Sequence, residues 1–184
     1  MFTNKKNNHR AFTLVELLVV IAIIGILTSV VYYSFADSRA QSRDRVRMTN
    51  LKELQLAVES YKAQNGRYPA GCNTGWSGET TNSSYKCTDG TNSYIKGLTP
   101  DFIGSLPTET KNTGGASSGY LYRTNSTGST YKIMAYGTVE AIKITAFSEN
   151  FARCPKAGGS SCATIGNIEK TYAVYGGDPT SKDW

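Results

Sequence analysis

Histidine is almost missing from these 184 residues: the single copy, His9, lies upstream of a long apolar run. Without the first eleven residues the chain has none, which excludes a Ser-His-Asp triad, a Cys-His pair and a histidine metal site from what remains. Proline is scarce, and none precedes Pro69. The four cysteines contain no C-x-x-C pair, so zinc and thioredoxin-like chemistry are poorly served. Charge is thin beyond residue 70, where Gly, Ser, Thr, Asn and Tyr dominate. That composition suits an exposed β-rich domain with polar loops better than a helical bundle. No nucleophile, base and metal-ligand set converges anywhere, so no catalytic residue is assigned and an enzyme is not expected.

The charges that are present speak about topology. Lys5, Lys6 and Arg10 precede the apolar run, and Arg39, Arg43, Arg45 and Arg47 follow it. Losing the first eleven residues removes three of the 20 basic groups and none of the 14 acids, lowering the net charge from +6 to +3. Basic residues flanking an apolar segment set membrane orientation more often than they bind DNA, so no nucleic-acid partner is expected. Residues 17–36, LLVVIAIIGILTSVVYYSFA, carry no charge; twenty residues span about 30 Å as a helix, the thickness of a hydrocarbon core. A cleavable secretory signal, with SFA at 34–36 as its cut site, fits less well, because its apolar core is usually about 7–15 residues.

Glu16 interrupts the front of this run. A carboxylate at mid-bilayer costs on the order of 2.5–3.5 kcal/mol, which makes it a functional suspect by default. The continuation, DSRAQSRDRVRMTNLKELQLAVESYKAQNG, is free of proline and of glycine until Gly66, and its helix formers follow on directly. Leu51, Leu54, Val58 and Tyr61 fall three, four and three apart, giving one apolar stripe that Leu56 and Ala57 widen. Glu59 and Lys62 are placed to pair along the polar side, and Asn65-Gly66 is the stop. One helix over residues 12–64 would be about 80 Å long. Its first half is apolar all round and its second half is one-sided, so the two need different surroundings.

Beyond Gly66 the elements are short. Residues 70–93 read as a polar loop, YIKGLTPDFIGSLPTE as a helical turn begun near Pro100, and GYLYRTNSTGSTYKIMAYG as a hairpin with arms at 120–124 and 130–136. Alternation puts Tyr131, Ile133 and Ala135 on one face and Lys132, Met134 and Tyr136 on the other. Further strands are expected in VEAIKITAF and in TYAVYG at 171–176. The expected class is α+β, a long N-terminal helix packed on a small antiparallel sheet. Cys72, Cys87, Cys154 and Cys162 suit two disulfides in an oxidising compartment. Of three connectivities, local pairing (72 with 87, 154 with 162) is expected, and closing a fifteen-residue loop is worth about 3 kcal/mol.

AFTLVELLVVIAIIGIL behind a short basic leader strongly resembles the N-terminal signature of type IV pilins and type II secretion pseudopilins. YKAQNGRYP extends the likeness, and the stretch from YIKGLTP to YKIMA is similar to pilins related to the major pseudopilin. The resemblance implies a leader, residues 1–11, cut between Ala11 and Phe12 by a membrane-embedded prepilin peptidase that also methylates the Phe12 amine. It implies a membrane-spanning and filament-core half of the helix at 12–36, an amphipathic half at 37–65, and a head at 66–184. Glu16 would pair with the Phe12 amine of a neighbouring subunit in a homo-oligomeric helical filament. Before assembly the chain would cross the inner membrane once among its lipids, leader in the cytoplasm and head outside, near an assembly platform; afterwards it would lie in an extracellular pilus. Two departures stand out: the family has glycine before the cut, where this chain has Ala11 and one extra methyl group, and many pilins have proline where Tyr33 stands.

Other readings carry less. Calcium, held by oxygen ligands near the C-terminus in relatives of the major pseudopilin, finds only Asp178 and Asp183 here; no cofactor is expected. Arg39, Arg43 and Arg47 share a helix face, suited to anionic headgroups, acids of adjacent subunits, or water. Asn82-Ser-Ser and Asn125-Ser-Thr fit a glycosylation pattern. A structural pilin is the leading expectation, a secretion pseudopilin driving protein export like a piston the second, and a monomeric membrane-anchored domain the third.

Overall fold

The apolar run and the amphipathic stretch share one helix, α1, Leu14–Asn65. It starts where Phe12 and Thr13 end the extended backbone and stops at Gly66, whose φ of 75° takes the left-handed turn. The Gly66 N–H donates to the Lys62 carbonyl at 2.8 Å, satisfying one of the last orphan acceptors. The computed structural model describes residues 12–79, 81–91, 93–111, 115–156, 158 and 162–177, excluding the side chains of residues 30–34, 165 and 167. Ala11, Asp178 and Asp183 lie outside this set. The chain divides into two units after Arg39.

In the first unit the bulky apolar side chains from Phe12 to Leu27 are 46–83 % exposed. Two of its hydroxyls are satisfied by the helix itself. Thr28 Oγ1 donates to the carbonyls of Ile24 and Gly25, and Ser29 Oγ to that of Ile26 at 2.7 Å, so neither adds an unpaired polar group to the run. Among the described residues no helix is long and apolar enough to cross a membrane. The described side chains of the run cover residues 14–29, about 24 Å of helix at 1.5 Å per residue; the expected segment continues into 30–34, outside the described side chains.

In the second unit the rest of α1 packs on a four-stranded antiparallel sheet of order β1-β2-β3-β4. The strands are β1 Ser77–Gly78, β2 Gly119–Thr124, β3 Thr130–Tyr136 and β4 Tyr172–Gly177, with a one-turn helix α2, Ile165–Ile168, before β4. The hairpin register sets Tyr122 opposite Ile133 and Ile133 opposite Val174. Tyr120, Tyr122, Tyr131, Ile133, Ala135, Tyr172 and Val174 therefore face Leu51, Leu54, Ala57 and Val58 of α1 in the main core. On the outer face Leu121, Met134 and Ala173 form a smaller core beneath Trp76, Tyr85 and Tyr136. The loop carrying Trp76 and Tyr85 is closed by Cys72–Cys87, and Asn73 Nδ2 donates to the Tyr85 carbonyl at 2.9 Å across it. The second disulfide, Cys154–Cys162, is buried in the main core. The architecture is α+β.

The core is built largely of tyrosine, and each buried hydroxyl has a partner. Tyr94 and Tyr122 donate to the carbonyls of Pro107 (3.0 Å) and Pro69 (2.7 Å), and Tyr172 donates to that of Ile142. Tyr131 donates to Glu59 (2.9 Å), and the Tyr120 hydroxyl accepts from Asn50 Nδ2 (2.8 Å). The six buried tyrosines, with Tyr68 donating to Glu59, thus supply apolar area without stranding polar atoms.

Several expectations are corrected. VEAIKITAF forms no strand, for a reason that the anchorage of α1 makes plain below. Residues 99–102 make a turn, closed by the Phe102 N–H on the Leu98 carbonyl, and not a helix. Leu56 is 71 % exposed, on the far side of α1 from the stripe it was expected to widen. Glu59 turns to the hydroxyls of Tyr68 and Tyr131 instead of pairing with Lys62. Asn82 is fully buried and donates to the Ser117 carbonyl, which leaves no room for a glycan.

Candidate functional site

The start of α1 is a capping box. Glu16 N–H donates to Thr13 Oγ1 at 3.2 Å, while the Glu16 carboxylate accepts from the Thr13 N–H at 2.9 Å and from its hydroxyl at 2.8 Å. Two orphan helix donors are satisfied reciprocally, and Phe12 is left outside the helix with its ring 83 % exposed. The one carboxylate of the apolar run is therefore held within one turn of Phe12, at the positive end of the helix dipole. It is exposed, so a partner of opposite charge has open access to it.

The other end of the functional problem is how α1 is fixed to its head. Asp44, fully buried, accepts three consecutive backbone N–H groups, from Glu140 (3.1 Å), Ala141 (2.7 Å) and Ile142 (2.8 Å). Those donors are unavailable to a sheet neighbour, which is why VEAIKITAF is a loop. Arg47, 2 % exposed, makes a two-pronged pair with Glu109 (2.7 and 2.8 Å) and reaches Asp44 (2.7 Å) and Glu140 (3.0 Å). Glu140 is also gripped by Arg43 (2.7 and 2.6 Å) and Lys111 (2.7 Å). The hydrogen bonds from Arg43 are the main cause that lowers the Glu140 carboxyl to about 2. Burial works against the Arg47 charge, yet its bonds to Glu109, Asp44 and Glu140 outweigh burial and hold its pKa above the ordinary arginine value. Beneath this network Glu79 accepts from the N–H groups of Glu109 (2.6 Å) and Tyr120 (2.9 Å), and burial pushes its carboxyl up against them. Gly119 is required here, since a β-carbon would run into Glu79 and its φ is +123°.

The profile described as the prokaryotic N-terminal methylation motif matches residues 6–32, the segment that holds Phe12, Thr13 and Glu16. The type IV major pilin protein PilA of Myxococcus xanthus is 42 % identical over 60 residues, covering 33 % of this chain and 27 % of that protein. The type II secretion system core protein G of Klebsiella michiganensis is 34 % identical over 65 residues (35 % of this chain, 46 % of the relative). Its Escherichia coli counterpart is 33 % identical over 63 residues, covering 34 % and 43 %. Over about a third of its length the chain is similar to type IV pilins and type II secretion pseudopilins. It spans less than half the length of these relatives, and no solved structure matches it.

The matched motif, residues 6–32, runs into the exposed apolar half of α1, where Thr13 and Glu16 are hydrogen-bonded to each other. Ala11 lies outside the described residues. Cys72, Cys87, Cys154 and Cys162 form the two local bridges and hold the head. Among the described residues no group of three or more His, Cys, Asp or Glu side chains is arranged to hold a metal. Sequence reasoning missed the anchoring network and treated Arg43 and Arg47 as facing lipid, other subunits or water. A signal was present: Asp44 and Arg47 extend the spacing of Leu51, Leu54, Val58 and Tyr61 towards the N-terminus by four and three residues, placing both on the buried stripe.

Proposed function

We propose that this chain is a structural pilin subunit, not an enzyme, cut between Ala11 and Phe12 by a prepilin peptidase and methylated on the Phe12 amine. Residues 12–36 hold it in the membrane with the head outside, until an assembly platform passes it into a homo-oligomeric filament. The observation that carries this reading is the first half of α1, uncovered from Phe12 to Leu27 and bearing a single carboxylate. An apolar helix exposed all round has to be buried in lipid or among copies of itself. In a filament core an unpaired Glu16 would be strongly destabilising, and the processed Phe12 amine of a neighbour is the cation that relieves it. Thr13 already holds the carboxylate in place, so pairing asks little reorganisation of it.

Mass spectrometry of the membrane or sheared-filament fraction tests the processing step: a methylated Phe12 N-terminus is expected, and an intact Met1 or a chain beginning at Asp37 would refute it. For assembly, Glu16→Ala is expected to be processed normally and to lose nearly all filaments; wild-type filament yield in that variant would remove the pairing role.

A second reading, a pseudopilin of a type II secretion system, is favoured by the recurrence of core protein G from several bacteria among the relatives. Deleting the gene separates the two, with loss of surface pili on one reading and loss of protein export on the other. A chain that is methylated but never polymerises would instead be the monomeric membrane-anchored domain.

A further inference from the structure

A cleft of about 320 Å³ opens on the head where the last turns of α1, the 94–98 loop and the β2–β3 turn meet. Its walls are fitted backbone. Gly97 (φ 72°) lies so close to Tyr61 that a β-carbon would sit 3.3 Å from the ring, and one on Gly128 (φ 66°) would sit 3.0 Å from Arg67 Cβ and from the Tyr68 carbonyl oxygen. The Tyr68 N–H donates to the Gly128 carbonyl at 2.8 Å, tying two walls together. Tyr61 is steadied by Phe102 (ring centroids 5.2 Å apart), and Tyr68 by Tyr131 (4.5 Å). The cleft is thus shaped before any ligand arrives.

Its lining has two rings, two cations (Arg67 and Lys96), the hydroxyls of Thr124 and Ser126, and no carboxylate. Lys96 is tied to Asp89 at 2.9 Å, which positions its ammonium and leaves Arg67, an exposed residue, as the stronger attraction for an anion. Lys62 stands over the Tyr68 ring at 4.3 Å and adds positive potential behind it. A volume at the lower end of small-molecule sites, polar and apolar walls together, and a planar guanidinium at the rim suit a polyhydroxy ring that carries a carboxylate. A fatty or neutral aromatic ligand would offer the Arg67 guanidinium no counter-charge.

We propose that this cleft binds the acidic sugar of an anionic glycan, with Arg67 taking the carboxylate and Tyr61 the ring. The reading goes beyond filament assembly and needs only the folded head, so a chain that binds sugar but forms no filament upholds it alone. The test is titration of the full chain in detergent micelles with glucuronic acid, N-acetylneuraminic acid and neutral glucose, followed by calorimetry or saturation-transfer NMR. At least one acid is expected to saturate and to bind tenfold or more tightly than glucose; which one does so tells a uronate source from a sialylated one. Arg67→Gln is expected to weaken that acid at least fivefold, and Ala70→Trp, which fills the cleft from its exposed rim without changing charge, to abolish it. Circular dichroism confirms that each variant is folded. Saturation by neither acid, glucose binding as tightly, or full affinity in either variant overturns the proposal.

Discussion

Residues 14–29 and residues 44–61 of α1 are the same secondary structure with opposite solutions to burial. In the first stretch every large side chain but Glu16 is apolar, and all are exposed; in the second, Leu51, Leu54 and Val58 are wholly buried and even Asp44 and Arg47 are interior. The difference teaches that hydrophobicity did not decide which half is covered by the head. The more apolar half is exposed, and on the proposed reading its cover comes from lipid or from other copies. The more polar half is covered because its charges meet Glu109, Glu140 and three backbone N–H groups. Cohesion of the head is therefore partly ionic, whereas the proposed cohesion of a filament rests on apolar surface and one carboxylate.

The sharpest way to break this contrast is Arg47→Met. It leaves Glu109, Asp44 and Glu140 without their shared cation, and a loss of about 3–5 kcal/mol is expected from breaking buried pairs on one side. Denaturant unfolding checks it, with Phe12 methylation unchanged. Leu54→Ala should cost about 2–5 kcal/mol as a buried truncation, against less than about 0.5 kcal/mol for Leu56→Ala on the exposed face; equal costs would erase the distinction between the faces. Acid unfolding gives a smaller and graded effect. The Glu140 carboxyl is lowered in the fold from 4.5 to about 2, so the unfolded chain takes up its proton first as pH falls. Its contribution is full above about 4.5 and disappears as pH drops through 2, and Glu140→Gln should flatten that part of the stability curve. The mildest change is Ala11→Gly: it removes one methyl group beside the proposed cut and is expected to raise the processing rate, with no effect on head stability.

The long helix, the hairpin and β4 were legible because each is a local pattern: a stripe at helical spacing, an alternation, a turn with Gly128 at φ 66°. The signature around Phe12 and Glu16 was legible for the same reason. The anchorage was not, since Arg47 finds Glu109 62 positions further along the chain and Asp44 finds Ile142 98 positions further along. No local rule pairs such residues, and charges on a helix read as solvated until their partners are known. VEAIKITAF failed as a strand through the same long-range event. Its β-branched residues favour extended backbone, but Asp44 competes for its donors and wins with a charged acceptor. The Thr13-x-x-Glu16 box was readable in principle, yet the carboxylate drew attention for its charge and not for its reach back to Thr13.

The capture of residues 140–142 by Asp44 also orders events in time. A ribosome delivers Asp44 and Arg47 long before it delivers their acceptors and donors, and domains generally complete their folding as units. Asp44 can take its three backbone donors only after residues 140–142 have been made, 96 to 98 positions further along. The turn of α1 that enters the head is thus locked by a segment from the last third of the chain.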